Sequence, residues 1–196
     1  MTFEEWRIIL DSKLDGAFHM VRNALPYMLE QKYGPILNAS SIGWLGLQGM
    51  SSYGAAFAGI WSFTRAIAQD LMGTGITVNS YAPNAKTRSW YSMLATYRSQ
   101  GIEAEAIEEG APAAMRFTAD IFAPFFAYLA SDQSAGITGY QFQTGADGQI
   151  GLWSEPEVCK DIWAEEGKPW ELKDLEIKIP ELLGIAKKAK TSIELH

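Results

Sequence analysis

Asn38-Ala-Ser-Ser-Ile-Gly-Trp-Leu-Gly46, followed after a short gap by Tyr53-Gly-Ala-Ala-Phe57, is the stretch on which the fold turns. Gly34-Pro35 punctuates the chain just before it, and Ile36-Leu37-Asn38-Ala39 reads as a short buried strand. From 51 to 73 the pattern is helical, with Gly54, Ala55, Ala56, Ala58 and Gly59 leaving a thin surface on which another helix can pack closely. Glycine disfavours an isolated helix by about 1 kcal/mol relative to alanine, so a packing gain is expected to offset it.

Working outward, residues 2–31 read as one long amphipathic helix. Thr2 caps it, and Glu4 and Glu5 fall in the first turn, where the helix dipole favours acids. Trp6, Ile9, Leu10, Leu14, Ala17, Phe18 and Val21 recur at helical spacing, and Pro26 is expected to bend or interrupt the run. Downstream, Ile76–Tyr81 reads as a second strand, 90–117 as a helical excursion made acidic by Glu103, Glu105, Glu108 and Glu109, 119–131 as a further helix, and Tyr140–Thr144 as a third strand. From Gly151 the character shifts. Trp153, Trp163 and Trp170 punctuate an acidic stretch, followed by Leu172, Leu175, Ile177, Ile179, Leu182, Leu183 and Ile185. This tail, 154–196, is expected to pack on the body of residues 1–153 or on a neighbouring subunit. Lys187, Lys188 and Lys190 read as a solvated end.

Composition excludes several classes. A net charge of −7 and a pI near 4.9 argue against bulk electrostatic binding of nucleic acid or anionic membrane. The lone Cys159 rules out an internal disulfide and offers no metal cluster. No apolar run approaches the ~20 residues of a membrane span. Met1-Thr-Phe-Glu-Glu-Trp6 lacks the basic and apolar regions of a signal peptide, so a cytoplasmic location is expected. With 47% apolar residues among 196, there is enough for one substantial core. His19 and His196 are isolated from other candidate ligands.

Ser40, Tyr53 and Phe57 together resemble the Ser-x12-Tyr-x3-Lys signature of the short-chain dehydrogenase/reductases, with Phe57 where the lysine should stand. Ser40 has the right spacing to Gly43 and Tyr53, and Ser41 is one residue out of step. Ile76-Thr-Val-Asn-Ser-Tyr-Ala-Pro-Asn-Ala-Lys-Thr-Arg88 is similar to the next strand and the loop that touches the nicotinamide. Its Pro83-Asn84-Ala85 version resembles the hydroxyacyl-CoA dehydrogenase branch. Ala130-Ser-Asp132, Gly136-Ile-Thr-Gly139 and Thr144-Gly145-Ala146 resemble the last helix, turn and strand. The resemblance implies an α/β, Rossmann-like fold with a parallel sheet, of which residues 1–153 hold only strands 5, 6 and 7. The nucleotide-binding half, with its Gly-rich diphosphate turn, has no counterpart. Strand 5, at Ile36–Ala39, is then an edge in need of cover.

In that family the lysine holds the nicotinamide ribose and lowers the tyrosine pKa. A free tyrosine, with a pKa of about 10, is ionised to only roughly one part in a thousand at pH 7. Phe57 supplies neither charge nor hydrogen bond. Lys13, in Ser12-Lys13-Leu14-Asp15-Gly16, takes the place of the asparagine often found as fourth catalytic group. Ser40 and Tyr53 are thus expected to be vestigial, with no cofactor bound by this chain. The family's interface helices, here 2–31 and 51–73, are both kept. The resemblance therefore implies a non-catalytic subunit of a heterotetramer, stabilising an active partner that binds NAD and oxidises a 3-hydroxyacyl-CoA, for instance in anaerobic benzylsuccinyl-CoA degradation. Two alternatives stand beside it. One is an active NAD-dependent hydroxyacyl-CoA dehydrogenase seen without its N-terminal half, with Lys13 standing in for the lysine. The other is an acyl-CoA-sensing module in which Lys86 and Arg88 meet a phosphate.

Overall fold

The computed structural model describes residues 1–99, 101, 118–145, 148–154, 161, 162, 164 and 169–183. It divides into two compact units, Met1–Trp153 and Ser154–His196. The acidic residues of 102–117, together with Cys159, Trp163, Ile185, the 187–190 lysines and His196, lie outside the described residues.

Helix α1, Phe3–Leu10, starts as its sequence dictates. The Thr2 hydroxyl accepts from the Glu5 N–H at 3.1 Å, and the Glu5 carboxylate accepts from the Thr2 N–H at 2.7 Å, a reciprocal capping box. The helical run continues through a π turn, Asp11–Asp15, into α2, Gly16–Gln31. Pro26 does not end α2, which runs a further turn and stops at Lys32 in the left-handed region. The irregularity lies instead at 11–15, where a π turn shifts the register of the face that follows. Arg7 braces this turn, its guanidinium bonding both Asp11 and, at 3.1 Å, Asp15.

Four strands form one sheet in the order β1 (Gly34–Ala39), β2 (Ile76–Ala82), β3 (Gln141–Thr144) and β4 (Ile150–Leu152). The first three are parallel, with Gly34 opposite Ile76 and Ser80 opposite Gln141. The short antiparallel β4 is additional to the three expected strands. Helix α3, Ser51–Asp70, connects β1 to β2. Its small residues do admit a close neighbour, but the neighbour belongs to this chain. A Cβ on Gly59 would lie 2.9 Å from the side chain of Leu14 in the π turn. Below the sheet, Val21, Ile36, Ala68, Leu71, Ile76 and Val78 form the main core cluster, with Leu25, Met28, Phe63 and Ile67 packed against it.

Helix α4 spans Arg88–Ser99. The expected helix at 119–131 is divided into a 3-10 turn, Ala119–Ile121, and helix α5, Ala123–Leu129. Pro124 explains the division: lacking an N–H, it fits the first turn of a helix and not its interior. In the second unit, α6 runs over Leu172–Leu183 and carries the expected apolar positions. No helix among the described residues is long and apolar enough to cross a membrane.

Candidate functional site

The C-terminal ends of β1 and β2 and the first turns of α3 and α4 surround a cavity of about 390 Å³. Parallel α/β sheets commonly place ligands just beyond their carboxyl ends. Polar groups reach it from Ser41, Tyr53, Asn84, Thr87 and Ser89, and aromatic walls come from Trp90, Phe122 and Phe126. Among the described residues its lining holds no charged side chain.

The structure separates the two serines. Ser40 is 3% exposed and is not among the residues lining the cavity. Its N–H donates to the Tyr81 carbonyl at 2.7 Å, continuing the β1–β2 ladder, and its hydroxyl donates to the Phe57 carbonyl at 3.3 Å. Ser41, half-buried, lines the cavity with Tyr53. It caps the 3-10 turn Ile42–Leu45, its hydroxyl oxygen accepting from the Gly43 N–H at 3.1 Å. A Cβ on Gly43 would lie 2.7 Å from the Tyr53 ring, so only glycine lets that ring lie against the turn. Ser41, Gly43 and Tyr53 are thus one contiguous structure. The spacing that points to Ser40 does not place its hydroxyl in the cavity.

Phe57 lies one helical turn beyond Tyr53. The ring centroids are 4.4 Å apart in an edge-to-face arrangement, and Phe57 is 6% exposed. Such pairs contribute about 0.5–1.5 kcal/mol beyond simple burial. The position is therefore filled, and filled by core-like packing. Beneath it, the Asn38 amide donates to the Thr64 hydroxyl at 2.9 Å, with both residues buried. Lys13 sits on the π turn with its side chain exposed and is not among the residues lining the cavity. Lys86 lies 5.6 Å above the Tyr91 ring, a cation–π contact. Neither Lys86 nor Arg88 lines the cavity.

Further support comes from the loop after β2. The Thr144 hydroxyl accepts from the Asn84 N–H at 2.9 Å and ties that loop to β3. Burial raises the Tyr81 hydroxyl pKa above its ordinary value. Trp90, Phe122 and Phe126 were not legible as cavity residues. Their only signal is position: Trp90 follows the loop closely, and Phe122 and Phe126 share a helical spacing.

At the position beside Tyr53 the residues present do not fit a nicotinamide ribose, because Phe57 offers neither a charge nor a hydrogen-bond donor. A family profile described as "Enoyl-(Acyl carrier protein) reductase" matches residues 1–145. The chain is 34% identical over 144 residues to a 3-oxoacyl-[acyl-carrier-protein] reductase of Synechocystis sp., covering 72% of this chain and 55% of that one. It thus spans about half the length of the curated relatives it matches. The structure superposes with a TM-score of 0.70 on a short-chain dehydrogenase from Mycobacterium avium, at 24% identity, covering 97% of this chain and 60% of that one. A second likeness, also with a TM-score of 0.70, is to the full-length peroxisomal multifunctional enzyme type 2 of Drosophila melanogaster, at 20% identity, covering 98% and 32%. Both likenesses establish the mostly parallel, Rossmann-like α/β fold.

Proposed function

Since the chain belongs to the short-chain dehydrogenase/reductase family, we propose that it is a non-catalytic subunit that assembles with, and stabilises, an active NAD-dependent short-chain dehydrogenase. The observation that carries this reading is Phe57, a buried ring packed on Tyr53 where the family's signature has its lysine. Loss of a cation at that point removes both a ribose ligand and the charge that favours tyrosinate. The matched relatives are named as 3-oxoacyl-[acyl-carrier-protein] reductases, which supports a partner that interconverts 3-hydroxyacyl and 3-oxoacyl thioesters, including CoA esters. We read the complex as a heterotetramer located in the cytoplasm. In it NAD belongs to the partner, and the cavity beside Tyr53 is kept as a pocket without chemistry. Participation in anaerobic benzylsuccinyl-CoA degradation remains one setting for such a complex.

A second reading is favoured by the relatives' extra length: an active dehydrogenase of which these residues form one part. Phe57 stands against it, because additional chain elsewhere does not restore the lysine. The exposed position of Lys13 removes the substitute that this reading needs. Co-expression with the short-chain dehydrogenase encoded nearest to it, followed by purification through a tag on this chain and native mass measurement, separates the two. The subunit reading predicts a mixed oligomer. A homo-oligomer that oxidises or reduces a 3-oxoacyl thioester by itself would establish the enzyme instead.

A further inference from the structure

We propose that a groove at the amino-terminal ends of β1 and β2 binds a guanidinium cation, delivered as an arginine side chain by the partner subunit. This end of the sheet is opposite to the Tyr53 cavity, and the two share no lining residue. The groove, of about 240 Å³, is lined by Tyr33, Pro35, Gly75 and Thr77 and by the 131–135 turn, which includes Asp132. Pro35 and Thr77 are register partners across β1 and β2. By the alternation of a strand they lie on the sheet face away from the core cluster that takes Ile36, Ile76 and Val78. Asp132 contributes a carboxylate to this otherwise uncharged lining. The Tyr33 hydroxyl donates to that carboxylate, a bond that raises the Tyr33 pKa above its ordinary value. A carboxylate offers about four acceptor positions, so most remain after Tyr33 has taken one. Among the described residues no lysine or arginine forms an ion pair with Asp132, and the Thr77 hydroxyl has no partner.

Charge complementarity sets the class of occupant. A guanidinium is planar and weakly hydrated, stacks on aromatic rings such as that of Tyr33, and matches a carboxylate with its fork of donors. An ammonium group, more strongly hydrated, suits a groove walled by Pro35, Gly75 and Ala135 less well. The position of the groove points to a second chain as the source, because β1 is the end strand of the sheet. The Ser40 N–H donates to the Tyr81 carbonyl, so the alternation of a parallel ladder turns the Leu37 N–H and C=O away from β2. Pro35, which has no N–H, falls in the same outward phase, where an edge strand tolerates it. An extended segment pairing at Leu37 passes beside the groove and brings its side chains within reach of Asp132. The arginine's source rests on the subunit reading proposed above, whereas the guanidinium chemistry of the groove does not.

The test follows the amide NMR spectrum of the full chain during titration with N-acetyl-arginine methylamide and, separately, with its citrulline counterpart, an uncharged isostere. The arginine probe is expected to give saturable shifts at Thr77 and at residues 131–135, and the citrulline probe to bind about tenfold more weakly. Asp132→Asn, which keeps an acceptor for Tyr33, is expected to weaken the arginine probe about tenfold. Equal binding of the two probes, no saturable binding, or binding that Asp132→Asn leaves unchanged would overturn the proposal. Co-purification decides the source. Asp132→Asn in the tagged chain is expected to reduce recovery of the partner about fivefold, the effect of truncating one side of an interfacial charge pair. Probe binding through Asp132 with undiminished partner recovery would make the cation a free small guanidine and overturn its assignment to the partner. Probe binding through Asp132 with no partner recovered by the wild-type chain would count against the subunit reading alone.

Discussion

The Tyr53 cavity and the outer face of the α1–α2 run are opposite cases within one unit. Around Tyr53 the substituted position has been absorbed into the interior: Phe57 is packed and Ser40 is hydrogen-bonded. Along α1 no residue is buried, and along α2 only Val21 is, while Phe3, Ile8, Met20 and Tyr27 are all more than half exposed. Four large apolar side chains along this one helical run are thus left to solvent. On the proposed subunit reading, the sequence keeps its packing inventory where chemistry has gone and keeps its apolar surface where a neighbour is required. That pattern supports a subunit more than a free-standing catalyst.

The comparison breaks first at the outer face. Met20→Glu combined with Tyr27→Glu places two charges one above the other on α2, and is expected to reduce recovery of the partner subunit more than tenfold in a tag-based purification. The circular dichroism spectrum should be unchanged, since both side chains are exposed. Undiminished recovery would mean that this face is not the interface.

The interior gives the next largest effect. Ile60, 2% exposed on α3, should cost about 2–5 kcal/mol when truncated to alanine, read from chemical denaturation. Ile8→Ala, on the outer face, should change the isolated chain by less than about 0.5 kcal/mol. Similar losses at the two sites would erase the distinction between them.

Phe57→Lys sharpens the cavity side. The change removes a buried ring and asks an ammonium group to lose its hydration, so stability should fall by roughly 3 kcal/mol. The variant should still reduce no 3-oxoacyl thioester in the absence of a partner. Recovered turnover would show that Phe57 is the only defect.

The smallest effect is at Tyr81. Its folded pKa is raised by burial, so its contribution to stability is present below about pH 10 and is lost as pH climbs through the tyrosine range. Tyr81→Phe should flatten the alkaline limb of melting temperature against pH and leave the neutral region unchanged.

Much of this was legible in the sequence. The Thr2 cap, the three strands and the bracket of Ser, Tyr and Phe57 follow from local pattern, and the family resemblance implied that the strands are parallel. What escaped depends on geometry finer than spacing. Ser40 and Ser41 are adjacent, and a strand end turns successive side chains to opposite sides, so a one-residue count cannot decide which hydroxyl meets the cavity. The π turn at Asp11–Asp15 leaves no compositional mark, whereas Pro26, which does, proved tolerable within α2. Strand β4 is too short to show a period. Its pairing with β3 is extended by the Gly145 N–H donating to the Gln149 carbonyl at 2.8 Å.

The central claim is that this chain lends structure and its partner lends chemistry. Counting NAD per chain in the co-purified complex, by equilibrium dialysis against chain masses from native mass spectrometry, tests it most directly. The account predicts one NAD for each partner chain and none for each copy of this one. Saturable NAD binding to this chain alone, or a stoichiometry that requires a second site in the complex, would contradict it.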